Sequence, residues 1–158
     1  MEYKVLALGD VASETGLQLL EKKLRAFKKE HDVRFTVVNG ENISGSGLTK
    51  AQAEALFAAG ADVITLGNHV FGKQQIVPYL DSRSDVLRPA NLAPQSPGRG
   101  WGIYDGPQGM RLLVMNLIGR CDMKYGPDNP FLCADRILKE NEGMYDVALA
   151  EIHANATS

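Results

Sequence analysis

The sequence predicts an α/β fold, parallel strands backed by helices, in one domain spanning residues 1–158. Three observations carry that reading. Short apolar runs alternate with amphipathic helical stripes, the early runs stop on glycine and a polar side chain, and a turn-rich stretch between Trp101 and Ile118 has the pattern of a hairpin. A chain of 158 residues holds one sizeable core and is too short for two ordinary ones.

Residues 3–8 (YKVLAL) form the first apolar run, which stops at Gly9-Asp10. Leu17, Leu20, Leu24 and Phe27 then share one helical stripe among Lys and Glu. Residues 35–38 (FTVV) read as a second strand, closed by Asn39-Gly40-Glu41-Asn42. The loop ISGSG leads to Thr49, a good N-cap for the helix KAQAEALFAAG, which Gly60 ends. Residues 63–66 read as the third strand, with Gly67-Asn68-His69 at its tip. A weaker helix over 74–80 precedes irregular chain marked by Pro89, Pro94, Pro97 and Pro107. Residues 101–104 and 111–118 flank the turn residues DGPQG as a hairpin, and a helix over 131–141 and a strand over 147–152 follow.

Lys plus Arg number 17 against 19 Asp plus Glu, a net charge of -2, so no global field recruits nucleic acid or an anionic membrane. An anionic substrate must be held by local chemistry. The opening MEYKVLALGD has no basic segment leading into a long apolar stretch, so a cytoplasmic setting with Cys121 and Cys133 reduced is expected. No apolar run approaches the length of a membrane span.

In open α/β sheets, functional groups gather beyond the carboxyl ends of strands. Four strand ends here are polar: Gly9-Asp10, Gly40-Glu41-Asn42, Gly67-Asn68-His69 and Ile152-His153. Carboxylates, carboxamides and imidazoles on one rim form a donor set suited to Mn, Fe or Zn rather than to a thiolate-seeking metal. A glutamate bridging two cations roughly 3.5–4 Å apart would complete a two-metal hydrolytic centre. Plainer readings stand beside each residue. Asp10 suits a helix N-cap, Glu41-Asn42 a turn, Asn68-His69 a polar pair under a loop, and His153 and His31 the surface. GENISGSG lacks the Lys-Ser/Thr of a P-loop, and GDVASETG lacks dinucleotide-binding spacing. Coincidence at four strand tips favours the metal reading over any one of these.

The segments GD at 9–10, NGEN at 39–42, TLGNH at 65–69, LRPAN at 87–91 and PGRGWGIY at 97–104 occur in that order, followed by NLIGR at 116–120, DNPF at 128–131 and IHANATS at 152–158. Together they resemble the YmdB-like branch of the bacterial calcineurin-like metallophosphoesterases. The resemblance implies an αββα metallophosphoesterase sandwich and a dinuclear phosphodiesterase acting on 2′,3′-cyclic nucleotides or related phosphodiesters, RNA included. It implies two divalent metal ions, Fe or Mn, with Zn or Mg as alternatives. By matching position, Asp10 is a ligand of the first metal and Glu41 the bridging carboxylate, with Asn42 beside the first metal. Asn68 and His153 match ligands of the second, and His69 the catalytic histidine that protonates the leaving oxygen. Arg99 and Arg120 are candidate phosphate contacts, weighed against ordinary solvated arginines.

Two departures shape the expectations. The family pattern includes a Gly-Thr-His-Thr-His segment, whereas this sequence has His31, His69 and His153 alone. An incomplete sandwich lacking its C-terminal strands is therefore expected, with impaired activity and self-association through an open sheet edge. Ser13-Glu14 also stand where the family has glycine and a basic residue. The alternatives are a non-catalytic regulatory or interaction module on the same scaffold, and a phosphomonoesterase or nucleotidase using the same centre.

Overall fold

A computed structural model describes residues 3–106 and 109–155. Part of the DGPQG turn (Pro107, Gln108) and residues 156–158 of the IHANATS segment lie outside the described residues.

Two sheets face each other. In the first, β1 (Lys4–Leu8), β2 (Val33–Asn39), β3 (Val63–Thr65) and β4 (Val86–Leu87) run parallel in the order β1-β2-β3-β4. In the second, β5 (Trp101–Asp105) pairs antiparallel with β6 (Arg111–Ile118), and β6 pairs parallel with β7 (Val147–His153). The parallel connections require crossovers, supplied by α1 (Ser13–His31), α2 (Lys50–Ala59), α3 (Val77–Ser82) and α4 (Pro130–Glu140).

Side-chain alternation along the strands sorts the core into three layers. Val38, Ile64 and Leu66 point outward to Leu17 of α1 and Leu56 of α2. Phe35, Val37 and Val63 point inward, meeting Leu112 and Val114 of the second sheet. Leu113, Met115 and Leu117 point away again, toward Cys133 and Ile137 of α4. The layers are thus α, β, β, α, and each fully buried Leu or Ile contributes roughly 1.5–3 kcal/mol.

Local chemistry sets the boundaries. Thr49 and Gln52 form a reciprocal capping box at the start of α2, and Gly60 ends that helix at φ 118°. Asn129 Oδ1 accepts from the Phe131 and Leu132 amides, so the DNPF segment is the cap of α4. The expected helix over 74–80 divides into a 3-10 turn, Gln74–Ile76, and α3, with Pro78 in the first turn of α3. β4, two residues long, was not foreseen as a strand. Phe27, expected on the buried stripe of α1, is 43% exposed.

Candidate functional site

Glu41 sits just beyond β2 and is fully buried. Its backbone amide donates to Asn39 Oδ1 (3.1 Å), and the Gly40 amide donates to the Thr65 carbonyl (3.0 Å), locking this turn to the end of β3. Its carboxylate accepts the His69 amide on Oε2 at 3.2 Å. Its other oxygen, Oε1, lies 2.6 Å from His153 Nδ1, an ion-pair distance when the imidazole is protonated. The close fit depends on Gly67, because a Cβ there would lie 2.3 Å from Glu41 Oε2.

Asp10 follows β1 but does not cap α1; Ala12 holds that position, with no side-chain cap. Asp10 Oδ2 instead accepts from Asn42 Nδ2 at 2.7 Å. That bond orients the Asn42 amide so that Oδ1 faces His69 Nδ1, at 2.9 Å. A carboxamide oxygen accepts and cannot donate, so the proton resides on Nδ1 and Nε2 is the nitrogen left for other work. The loops are tied together by backbone bonds from Val11 to the Asn39 carbonyl (3.0 Å) and from Ser13 to the Asn42 carbonyl (3.2 Å). Ser13 adopts φ 64°, a left-handed conformation unusual for serine.

Asp10, Glu41, Asn42, His69 and His153 therefore form one connected set. Its sources are the carboxyl ends of β1, β2, β3 in one sheet and β7 in the other. Asn68 adjoins His69, and its Oδ1 is buried without a hydrogen-bond partner. Arg99 lies elsewhere, lining a hollow with Arg88 and Trp101. Arg120 lines a groove with Asp128 and Arg136, and a second with Ile152 and Ala154.

A profile of the YmdB-like protein family matches residues 6–158. The chain belongs to that family. It is 35% identical over 156 residues to the 2′,3′-cyclic-nucleotide 2′-phosphodiesterase of Bacillus subtilis, a match covering 98% of this chain and 58% of that protein. Among solved structures, a hypothetical protein from Thermus thermophilus is similar with a TM-score of 0.86 and 34% identity, over 97% of this chain and 58% of that one. A Mycoplasma pneumoniae protein described as a novel phosphatase is similar with a TM-score of 0.88 and 25% identity, over 98% and 56% of the two chains. The chain spans just over half the length of these relatives.

Several segments shared with the YmdB-like pattern turn out to brace the rim. Asn91 of LRPAN donates to the Ile118 and Asp128 carbonyls and accepts from the Ile118 amide, at 2.7–2.9 Å. Asn116 of NLIGR, fully buried in β6, donates to the Leu66 and Leu87 carbonyls, joining the ends of β3 and β4.

Two residues were not singled out from the sequence. Asn39 Nδ2 donates to Glu151 Oε1 at 2.9 Å, connecting the two sheets beside Glu41. Burial raises the Glu151 carboxyl above its ordinary range, against the opposing pull of the Thr65 and Asn39 side chains. The available clue was a charged residue inside the apolar strand ALAEIHA, two positions before His153 and so on its face. His153 itself is raised, chiefly by its contact with Glu41.

Among the described residues, no three His, Cys, Asp or Glu side chains converge as a ready cation cage. The donor set nevertheless suits a cation once carboxamides are counted. Asn68 Oδ1 and Glu41 Oε1 are both buried without a hydrogen-bond partner, and the latter lies 2.6 Å from an imidazole nitrogen. These are donors a divalent ion accepts.

Proposed function

We propose that this protein is a metal-dependent phosphodiesterase of the YmdB-like family, acting on cyclic nucleotides or related phosphodiesters. The observation that carries the reading is the chain Asp10–Asn42–His69, which fixes one imidazole nitrogen and leaves the other for a substrate oxygen. The B. subtilis relative's name supports the substrate class.

Asp10, Glu41, Asn42, Asn68 and His153 would hold two divalent ions, Fe or Mn. The chemistry supplied by such ions is Lewis-acid charge opposite a phosphoryl group and a lowered pKa for water. The protein's own residues do the rest. Asn42 holds the His69 ring by accepting from Nδ1, and Asp10 holds Asn42. In the imidazolium form, His69 Nε2 carries the proton that the leaving oxygen needs. Glu41 anchors the His69 backbone, so the ring's position follows from the same carboxylate that anchors His153. Gly67 keeps that carboxylate accessible to both.

Manganese-supplemented hydrolysis of 2′,3′-cyclic AMP and bis(p-nitrophenyl) phosphate tests the assignment, using this chain and a form extended to its relatives' length. His69→Ala is expected to lower kcat by about 10²–10⁴ with bound metal unchanged. Full activity in that variant would remove His69 from the reaction. The description of the M. pneumoniae neighbour as a phosphatase favours a second reading, a monoesterase on the same centre. A higher kcat/KM for p-nitrophenyl phosphate than for the diester would select it.

A further inference from the structure

Arg88 follows β4 and is buried, 7% exposed. Its Nη1 donates to the Pro89 carbonyl at 2.7 Å, while its Nε is buried with no partner. Among the described residues, no carboxylate forms an ion pair with it. Burial lowers the guanidinium's pKa, yet an arginine keeps its charge at neutral pH. A buried cation without a counter-charge is destabilising, and an anion placed against it removes that cost.

The space beside Arg88 is a cleft of about 380 Å³, lined also by Trp101, Asp128, Arg136, Ile137 and Glu140. This is a common size for a small-molecule site. Arg136 is exposed, and its Nη2 lies 3.7 Å from Cys133 Sγ rather than on a carboxylate. Two guanidiniums, neither in an ion pair among the described residues, thus share one cleft. Trp101, half-buried, supplies a flat apolar wall, and the exposed Asp128 and Glu140 supply acceptors at the margin. The cleft lies on the β4–β5 side of the molecule, whereas Asp10, Glu41 and His69 follow β1, β2 and β3.

We propose that the Arg88–Arg136 cleft is a second ligand site, which takes a nucleoside monophosphate. The guanidiniums face the phosphate, the Asp128 and Glu140 carboxylates accept from sugar hydroxyls, and the Trp101 ring lies against the base. The proposal stands apart from the phosphodiesterase reading, because none of these residues belongs to the His69 set.

Trp101 is the protein's single tryptophan, so its fluorescence reports directly on the cleft. The experiment titrates chelator-treated protein with AMP, ribose 5-phosphate, inorganic phosphate and adenosine, against sodium chloride at matched ionic strength. Saturable binding is expected for AMP, weaker binding for ribose 5-phosphate and phosphate, and no saturation with adenosine or chloride. Arg136→Ala is expected to weaken AMP binding by about tenfold or more, and Arg88→Met by at least as much. If Arg88→Met does not fold, the exposed Arg136 carries the test. Equal AMP affinity in Arg136→Ala and the parent, absence of saturation by AMP, or the same response to chloride would each overturn the proposal.

Discussion

Val37, Val38 and Asn39 at the end of β2 are 2%, 0% and 1% exposed, whereas Val147 and Ile152 of β7 are 47% and 51% exposed. Both strands nevertheless deliver polar groups to one rim, Glu41 and Asn42 from the first, Glu151 and His153 from the second. β2 has paired neighbours on both sides and packed layers on both faces, so its tip has little freedom. Among the described residues β7 is paired on one side, by β6, and is tied to the first sheet through Glu151–Asn39 and His153–Glu41. The lesson is that one half of the rim is fixed by packing, and the other is fixed by the polar contacts it makes.

Three substitutions probe that contrast. Asn116→Leu attacks the enclosed side most severely, taking the side-chain donor from the buried Leu66 carbonyl and one of the two donors from the Leu87 carbonyl, which keeps the Leu66 amide. A loss of roughly 2–5 kcal/mol is expected by urea denaturation; a loss below about 1 kcal/mol would mean that the β3 and β4 ends do not depend on this bridge. Gly67→Ala comes next, since its methyl would overlap the Glu41 carboxylate, and about 1–3 kcal/mol is expected from the crowding. Thermal unfolding measures it, and an unchanged Tm would show that the carboxylate moves freely. Ile152→Thr on β7 is expected to change stability by no more than about 0.5 kcal/mol, because the side chain is half exposed. Hydrogen exchange sharpens the comparison further: amides of β7 should exchange faster than those of β2, and equal protection would erase the distinction.

Much of this architecture is written in the periodicity of the sequence. The runs over 3–8, 35–38 and 63–66, the Thr49 cap and the Gly60 stop correspond to β1, β2, β3 and α2, because each rests on a local rule that tertiary contacts do not override. β4 escaped because two residues have no period. Phe27 was misplaced because a helical stripe gives the direction of the core but not its extent. The four polar strand tips were readable as tips, but their mutual contacts were not. Which oxygen of Glu41 meets His69, and which meets His153, depends on two sheets approaching each other. Asn116 and Glu151 interrupt apolar strands, and that interruption is the trace a buried polar bridge leaves in a sequence.

The Asn39–Glu151 bond joins residues 112 positions apart. Seen from the ribosome, Asn39 and Glu41 emerge long before their partners on β7, by roughly 6–20 s at ordinary elongation rates. During that interval the buried carboxylate of the first sheet has no imidazole, and the second sheet has no third strand. Closing so long a loop is slow, and its entropy is repaid when the two sheets dock. The rim therefore closes only after β7 has emerged, and a group that binds across it acts on that docking step rather than on the formation of the first sheet.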